Sequence, residues 1–243
     1  MRLLSYELGR DTPTYPGNPP VELRPFTSIA DGDAANQFSL TTLNHNGTHV
    51  DAPWHFDPAG RRLDELDPAT FAFWRPSIID LPKGPNELIS AEDLEPFAPV
   101  VAGADLLLLR TGFGGRIRDS DPVAYGHSGP GFAESAGFFL RQFPALRCMA
   151  MDIISAGAPA HPGEAVAFHR AALGPDVPGA ANSFVLLAED CRIDADLTAD
   201  DLALVVLAPL RIAPSDGAPC TILAFSRQDL NRDNVPDGGA IGE

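Results

Sequence analysis

A chain of 243 residues with 33 acidic against 17 basic side chains, a formal charge of −16 and 44% apolar residues describes a globular protein of one large or two small domains. Its acidic surface repels phosphate backbones and no Lys/Arg-rich run offsets this locally, which argues against nucleic-acid binding. Membrane insertion is disfavoured too: Met1-Arg2-Leu3-Leu4-Ser5-Tyr6-Glu7 lacks a signal-peptide core and no segment nears the roughly 20 apolar residues that span a bilayer, so the expected address is the cytoplasm.

Strands are predicted, in chain order, at residues 3–8, 22–26, 38–43, 77–81, 105–110, 148–154, 184–188, 204–208 and 221–225. The continuous apolar runs Leu106-Leu107-Leu108-Leu109 and Ala203-Leu204-Val205-Val206-Leu207 suit strands buried on both faces. Helices are predicted at 90–94, where Ser90 is a good N-cap, at 133–142, which is amphipathic, and at 164–173, stopped by Gly174-Pro175. A further short turn starts at Thr198. Many strands without regular βα alternation disfavour Rossmann and TIM arrangements and favour an α/β fold, a compact single domain with a mixed sheet. The 24 prolines and 22 glycines are spread along the chain, as in short elements joined by ordered loops. One domain is expected over residues 1–226, with 227–243 a polar tail, disordered or reaching a neighbouring subunit. Cys148, Cys191 and Cys220 are odd in number and set in apolar sequence, which favours buried free thiols over disulfides.

The densest chemistry lies in twelve residues, His45-Asn46-Gly47-Thr48-His49-Val50-Asp51-Ala52-Pro53-Trp54-His55-Phe56, which hold three of the six histidines. Imidazole and carboxylate suit Zn²⁺, Mn²⁺ or Fe²⁺, and the absence of cysteine argues against a closed thiolate site, so a coordination position can stay open for water. The i, i+4 spacing of His45 and His49 would suit a helix, but Gly47, Thr48, Val50 and Pro53 all weaken one. Read as strand into loop, residues two apart share a face, which aligns His45, Gly47, His49, Asp51, Pro53 and His55. An isolated histidine is ordinarily a satisfied polar group; four donors in one register make a cluster. Asn46 and Trp54 fall on the opposite face. A serine nucleophile finds no support, because Gly126-His127-Ser128-Gly129 lacks the Gly-x-Ser-x-Gly spacing. Thr111-Gly112-Phe113-Gly114-Gly115 is not followed by Gly-Lys-Ser/Thr and reads as a turn near the site, not a phosphate loop.

The twelve residues resemble the His-x-Gly-Thr-His-x-Asp-x-Pro-x-His-Phe signature of the cyclase-like metal-dependent hydrolases, the family that includes bacterial kynurenine formamidase and isatin hydrolase. Thr12-Pro13-Thr14-Tyr15-Pro16-Gly17, Leu109-Arg110-Thr111-Gly112 and Met151-Asp152-Ile153-Ile154-Ser155 resemble further family segments, so the likeness covers most of residues 1–225. The resemblance implies a swivelling β/β/α-type domain in a homodimer or homotetramer, with one or two divalent ions, Zn or Mn, per subunit. It implies His45, His49 and Asp51 as ligands, Asp51 bridging, and His55 as the acid/base. For the family's later histidine and glutamate the best matches are His169 and Glu189, with His161 and Asp190 competing; a helix fixes the direction of His169 better than a loop fixes His161. Tyr15, in the Pro-Gly loop, resembles an aromatic set against substrate, Trp54 can wall a pocket, and His127 lies in a stretch resembling a pocket-facing loop. The implied reaction is hydrolysis of a small-molecule amide, foremost an aryl formamide such as N-formylkynurenine in tryptophan catabolism. Isatin-type lactam hydrolysis and polyketide-type cyclisation are the alternatives, and a non-catalytic metal-binding scaffold is the reading from another class.

Overall fold

Alternation along the buried strands divides the interior into two cores. In this computed structural model, which describes residues 1–175 and 177–231, the strands in chain order are β1 (Arg2–Leu3), β2 (Glu22–Thr27), β3 (Gln37–Thr41), β4 (His49–Asp51), β5 (Ala72–Phe73), β6 (Pro76–Asp80), β7 (Leu88–Ile89), β8 (Leu106–Arg110), β9 (Gly131–Phe132), β10 (Cys148–Met151), β11 (Leu186–Glu189), β12 (Leu204–Pro209) and β13 (Gly217–Phe225). The α-helices are α1 (Ala91–Leu94), α2 (Ala98–Gly103), α3 (Phe113–Ile117), α4 (Pro122–Ser128), α5 (Glu134–Leu140) and α6 (Pro162–Leu173). Leu106, Leu108, Cys148, Ala150, Leu186 and Ala188 point to one side, where they pack with Val50, Val205 and Ile222. The intervening Leu107, Leu109, Met149, Met151 and Leu187 pack under the helices against Leu94, Phe139 and Phe168.

The main sheet runs β5-β12-β13-β4-β11-β10-β8-β6, with β1 also paired to β13. β6, β8, β10 and β11 are mutually parallel. From β11 onwards, through β4, β13, β12 and β5, every pairing is antiparallel. The two end strands, β5 and β6, are separated in the chain only by Trp74 and Arg75, so this mixed sheet is nearly closed. Asp105 fastens the seam: its buried carboxylate accepts the backbone N–H groups of Trp74 and Arg75, each at 3.0 Å. Arg147 donates to the same carboxylate and to the carbonyl of Ala72. The mixed α/β architecture expected from the sequence is the one observed, and no helix among the described residues is long and apolar enough to cross a membrane.

Several boundaries differ from expectation, each for a local reason. The first strand stops at Leu3 because the chain then crosses to make a bridge between Ser5 and Cys191. The expected turn after Thr111 instead opens α3: the Asp152 carboxylate takes the N–H groups of Thr111 and Gly112 and organises the entry to a glycine-rich helix that composition disguises. Proline in the first turn similarly masks α2 and α4, where its missing N–H costs nothing. The last strand starts four residues earlier than expected, at Gly217, drawn in by pairing with β4. The three cysteines are free and buried. Of the expected tail, 232–243 lie outside the described residues, while Asp229 accepts an ion pair from the Met1 amino group.

Replacing Asp105 with alanine should open the seam first. Loss of two charge-assisted bonds to buried N–H groups is expected to cost about 3 kcal/mol, read as a lower urea midpoint with little change in slope.

Candidate metal centre

Of the histidine-rich stretch, only His49, Val50 and Asp51 form a strand. Gly47 has φ +70°, and a Cβ there would stand 2.9 Å from Leu8 Cδ1, so the chain needs glycine to turn into β4. Proline at 53 then starts a 3₁₀ turn, Pro53–His55. The six-residue common face expected from the sequence therefore contracts to His49 and Asp51; His45 arrives from the turn before β4 and His55 from the turn after it. Val50 fills the inner core, which puts its two neighbours on the helix side of the sheet. There β4 lies between β11 and β13, with His49 opposite Glu189 and Asp51 opposite Gly217. His169 approaches from α6, whose Pro162, Ala165, Val166 and His169 form one face toward the same cavity.

These side chains make two groups of three donors that share one carboxylate: His45, His49 and Asp51, and Asp51, His169 and Glu189, with ligand atoms within 4.8 Å of one another in each. The rings are already oriented. His49 Nδ1–H donates to Gly47 O at 2.8 Å and His169 Nδ1–H to Ala165 O at 2.6 Å. That directs His49 Nε2 at Asp51 Oδ1 (3.4 Å) and Glu189 Oε2 (3.3 Å), and His169 Nε2 at Glu189 Oε1 (3.4 Å) and Asp51 Oδ2 (3.8 Å). Backbone acceptors that tie one imidazole nitrogen and free the other are a recurrent support of metal-binding histidine. Glu189 is held by the N–H of Ala156 at 2.7 Å. Asp51 Oδ2 is buried without any hydrogen-bond partner, which a bridging cation would satisfy. The donor set fits a divalent ion.

The electrostatics agree. Burial would favour neutral His45, but Asp51 and Asp216 overcome it and raise its pKa to about 10. His49 and His169 are likewise raised, against burial, by hydrogen bonds to Glu189 and by the charges of both acids. Asp51 and Glu189 are lowered against burial by these imidazoles. Such a cluster holds positive charge beside its carboxylates; an ion would take over that role from the protons.

His55 stands apart from the donors around Asp51 and Glu189. Its ring stacks on His45 at 4.0 Å, and its Nδ1–H donates to Asp216 Oδ2 at 2.8 Å. Asp216 also accepts from His45 Nε2 at 3.0 Å and from Asn44 Nδ2 at 2.6 Å. Despite partial burial, these donors press its carboxyl well below the ordinary range. Sequence reasoning missed Asp216, for which the only signal is an acid just before an apolar strand. The site opens into a cavity of about 380 Å³, within the range of small-molecule pockets, walled by Tyr15, Leu43, Phe56, Ile154 and Val166.

The remaining candidates fall as follows. His161 is exposed, bonded to Asn86 O, and in neither donor group. Asp190 faces away from the cluster at φ +49°, where Arg118 grips its carboxylate with two bonds of 2.7 Å and Tyr125 OH donates at 2.8 Å. Tyr15 lines the cavity. Trp54 does not; the 3₁₀ turn throws its ring outward, leaving it 37% exposed. His127 is also outside, bonded to Val123 O within α4 and facing a separate groove near Arg10.

The fold so described has relatives. Residues 3–158 match the Cyclase family model, described as "Putative cyclase", and the chain belongs to that family. It is 34% identical over 116 residues to a kynurenine formamidase of Bacillus thuringiensis (strain Al Hakam), a match covering 48% of this chain and spanning about half, 53%, of that relative. Isatin hydrolase A from Ralstonia solanacearum shares the fold, with a TM-score of 0.71 at 21% identity over 92% of this chain and 90% of the other. So does a structure described as a potential metal-dependent hydrolase with cyclase activity, at a TM-score of 0.64 and 19% identity over 93% and 97%.

Gly217 tests the geometry without replacing a donor. A Cβ there would lie 2.6 Å from His45 Cε1 and 2.7 Å from Val50 O, so Gly217→Ala must displace the imidazole or the strand. Affinity for added Mn²⁺ or Zn²⁺ should fall roughly tenfold or more in calorimetric titration, while the far-ultraviolet circular dichroism is retained.

Proposed function

We propose that this protein is a metal-dependent hydrolase of an amide bond in a small molecule, foremost an aryl formamide such as N-formylkynurenine. The observation that carries the reading is the pair of donor groups sharing Asp51 at the floor of an apolar cavity, with His55 beside them but outside their ligand set. His45, His49, Asp51, His169 and Glu189 would hold one or two Zn²⁺ or Mn²⁺ ions. When bound, such ions polarise a carbonyl and lower the pKa of water to roughly 7.

The chain's own residues supply the rest. Tyr15, Phe56 and Ile154 offer apolar faces to a planar ring and keep bulk water from it. His55, anchored through Nδ1, has Nε2 without a hydrogen bond among the described residues and can deliver a proton to the departing amine. The overall change is addition of one water across the C–N bond, giving a carboxylate and an amine. The family relatives named for formamide and isatin hydrolysis support this class of reaction. Isatin-type opening of a lactam is the second reading, favoured by the likeness in fold to isatin hydrolase. Cyclisation of a polyketide-type substrate would release water instead, and a scaffold would need no cavity beside the ions.

Protein reconstituted with Mn²⁺ or Zn²⁺ should hydrolyse aryl formamides with net uptake of one water in the products. His55→Ala should lower kcat by about 10²- to 10⁴-fold while metal content, measured by plasma emission, is unchanged. A fully loaded protein inert toward aryl formamides and isatin alike would sink the proposal.

We further propose a homo-oligomer, a dimer or tetramer, built through the β2–β3 hairpin. Phe26, Phe38 and Leu40 are exposed on it, and Leu43, at its base, lines the cavity. Charge placed at both aromatics (F26E/F38E) should reduce the sedimentation mass to that of one chain; an unchanged mass would place the interface elsewhere.

A further inference from the structure

Asp216 belongs to neither donor group that shares Asp51, although with His45 and His55 it makes a third set of three possible donors. One oxygen, Oδ2, takes hydrogen bonds from two different histidines: His45 Nε2 at 3.0 Å and His55 Nδ1 at 2.8 Å. The other, Oδ1, is held by Asn44 Nδ2 at 2.6 Å, and the same amide also donates to Gly217 O at 2.9 Å. The backbone is pinned as well, because Asp216 O accepts the N–H of Ala52 at 2.8 Å, at the entrance to the turn that carries His55. The carboxylate therefore cannot swing from its partners without breaking contacts at both oxygens and at the main chain.

We propose that Asp216 is a positioning residue that sets the tautomers of two histidines with one oxygen atom. A carboxylate only accepts, so each nitrogen facing it carries a proton. On His45 both nitrogens face carboxylates, Nε2 that of Asp216 and Nδ1 that of Asp51 at 2.8 Å, so both carry protons until an ion held by Asp51 takes the place of the Nδ1 proton; Asp216 then keeps the proton on Nε2. On His55 it puts the proton on Nδ1 and leaves Nε2 as the nitrogen that exchanges protons with substrate. The two rings stack at 4.0 Å with 23° between their planes, so the shared oxygen also fixes their relative orientation. His49 and His169 have ordinary backbone carbonyls in this role. His45 and His55, which line the cavity together with them, have a charged acceptor in common, which couples the metal-holding side of the site to the proton-transferring side. The proton-transfer role of His55 rests on the hydrolase reading, the His45 tautomer on an ion taking Nδ1, and the His55 tautomer on geometry alone.

The test is long-range ¹H–¹⁵N correlation of the imidazole nitrogens in zinc-loaded protein, compared with Asp216→Asn. The wild type should show a zinc-bound Nδ1 on His45 and the Nδ1–H form on His55. Asp216→Asn, which can offer only one weaker acceptor, should mix the His55 tautomers and weaken zinc binding by about 10- to 100-fold. In an enzyme active on an aryl formamide it should lower kcat on the order of 10²-fold or more with little change in KM. Should that variant not fold, Asn44→Ala frees Oδ1 alone and should shift the same signals part of the way. An Nε2–H His55 in the wild type, or tautomers and zinc affinity both unmoved in Asp216→Asn, would overturn the proposal. So would a zinc count reduced by one with the remaining sites unaffected, since Asp216, His45 and His55 are themselves close enough to hold an ion and Asp216 would then be a ligand. The spectra and affinities need no turnover, so an inert wild type with these tautomers would refute the hydrolase reading and leave the role of Asp216 intact.

Discussion

Everything at the site depends on three residues of β4 being hydrogen-bonded on both sides, to β11 and to β13. A strand this short has no stability of its own; it is extended because its neighbours hold both edges. With Val50 committed to the inner core, the alternation leaves His49 and Asp51 no option but the helix side. The same pairing sets Glu189 beside His49 and Gly217 beside Asp51, so one register assembles donors that lie far apart in the chain. Slipping it by one residue would exchange Val50 for His49 and Asp51 and destroy core and site together.

Burying two carboxylates and three imidazoles in contact is costly unless each charge is compensated. The protein compensates them with fixed partners: backbone carbonyls behind His49 and His169, the Ala156 amide behind Glu189, and Asp216 behind His45. Behind this layer stands a second ionic lock, in which Arg118 and Tyr125 hold Asp190 in a left-handed conformation immediately after Glu189. Because Thr48 also donates its hydroxyl to Asp190 O, the lock reaches both strands that carry the candidate donors, β4 and β11. Of the cluster's carboxylate oxygens, Asp51 Oδ2 is the one left without a hydrogen-bond partner among the described residues, at the point where the two donor groups meet.

The sequence made the chemistry more legible than the geometry. The mixed α/β architecture follows from apolar runs such as Leu106 to Leu109, whose burial on both faces needs helices outside and a core inside. The histidine-rich stretch announces its donors by composition, and its likeness to the family adds His169 and Glu189. Period-two reasoning nevertheless failed beyond β4, since a left-handed glycine and a proline-started turn, not a continuous strand, bring His45 and His55 inward. Glycine-rich and proline-led helices such as α3 and α4 were hidden because their ends are stabilised by distant or flanking acids, Asp152 and Asp121. Asp216 was illegible because its meaning arises only when β13 lies against β4. Trp54 went the other way: next to His55 in sequence, it is turned outward by the geometry that turns His55 in.

The seam between β5 and β6 has a dynamic consequence. The terminal strands of the sheet are joined by two residues, so closing it costs almost no loop entropy, but the ring is fastened there chiefly through one carboxylate. The seam is thus the natural place for the ring to breathe. In the strand order, β4 and β11 occupy the middle, as remote from that opening as the sheet allows. Local unfolding can therefore start at the edge strands and be exhausted before it reaches the donor cluster, and amide protons of β4 should exchange only when the whole ring opens. The fold keeps its loosest join diametrically opposite the part that must hold its shape.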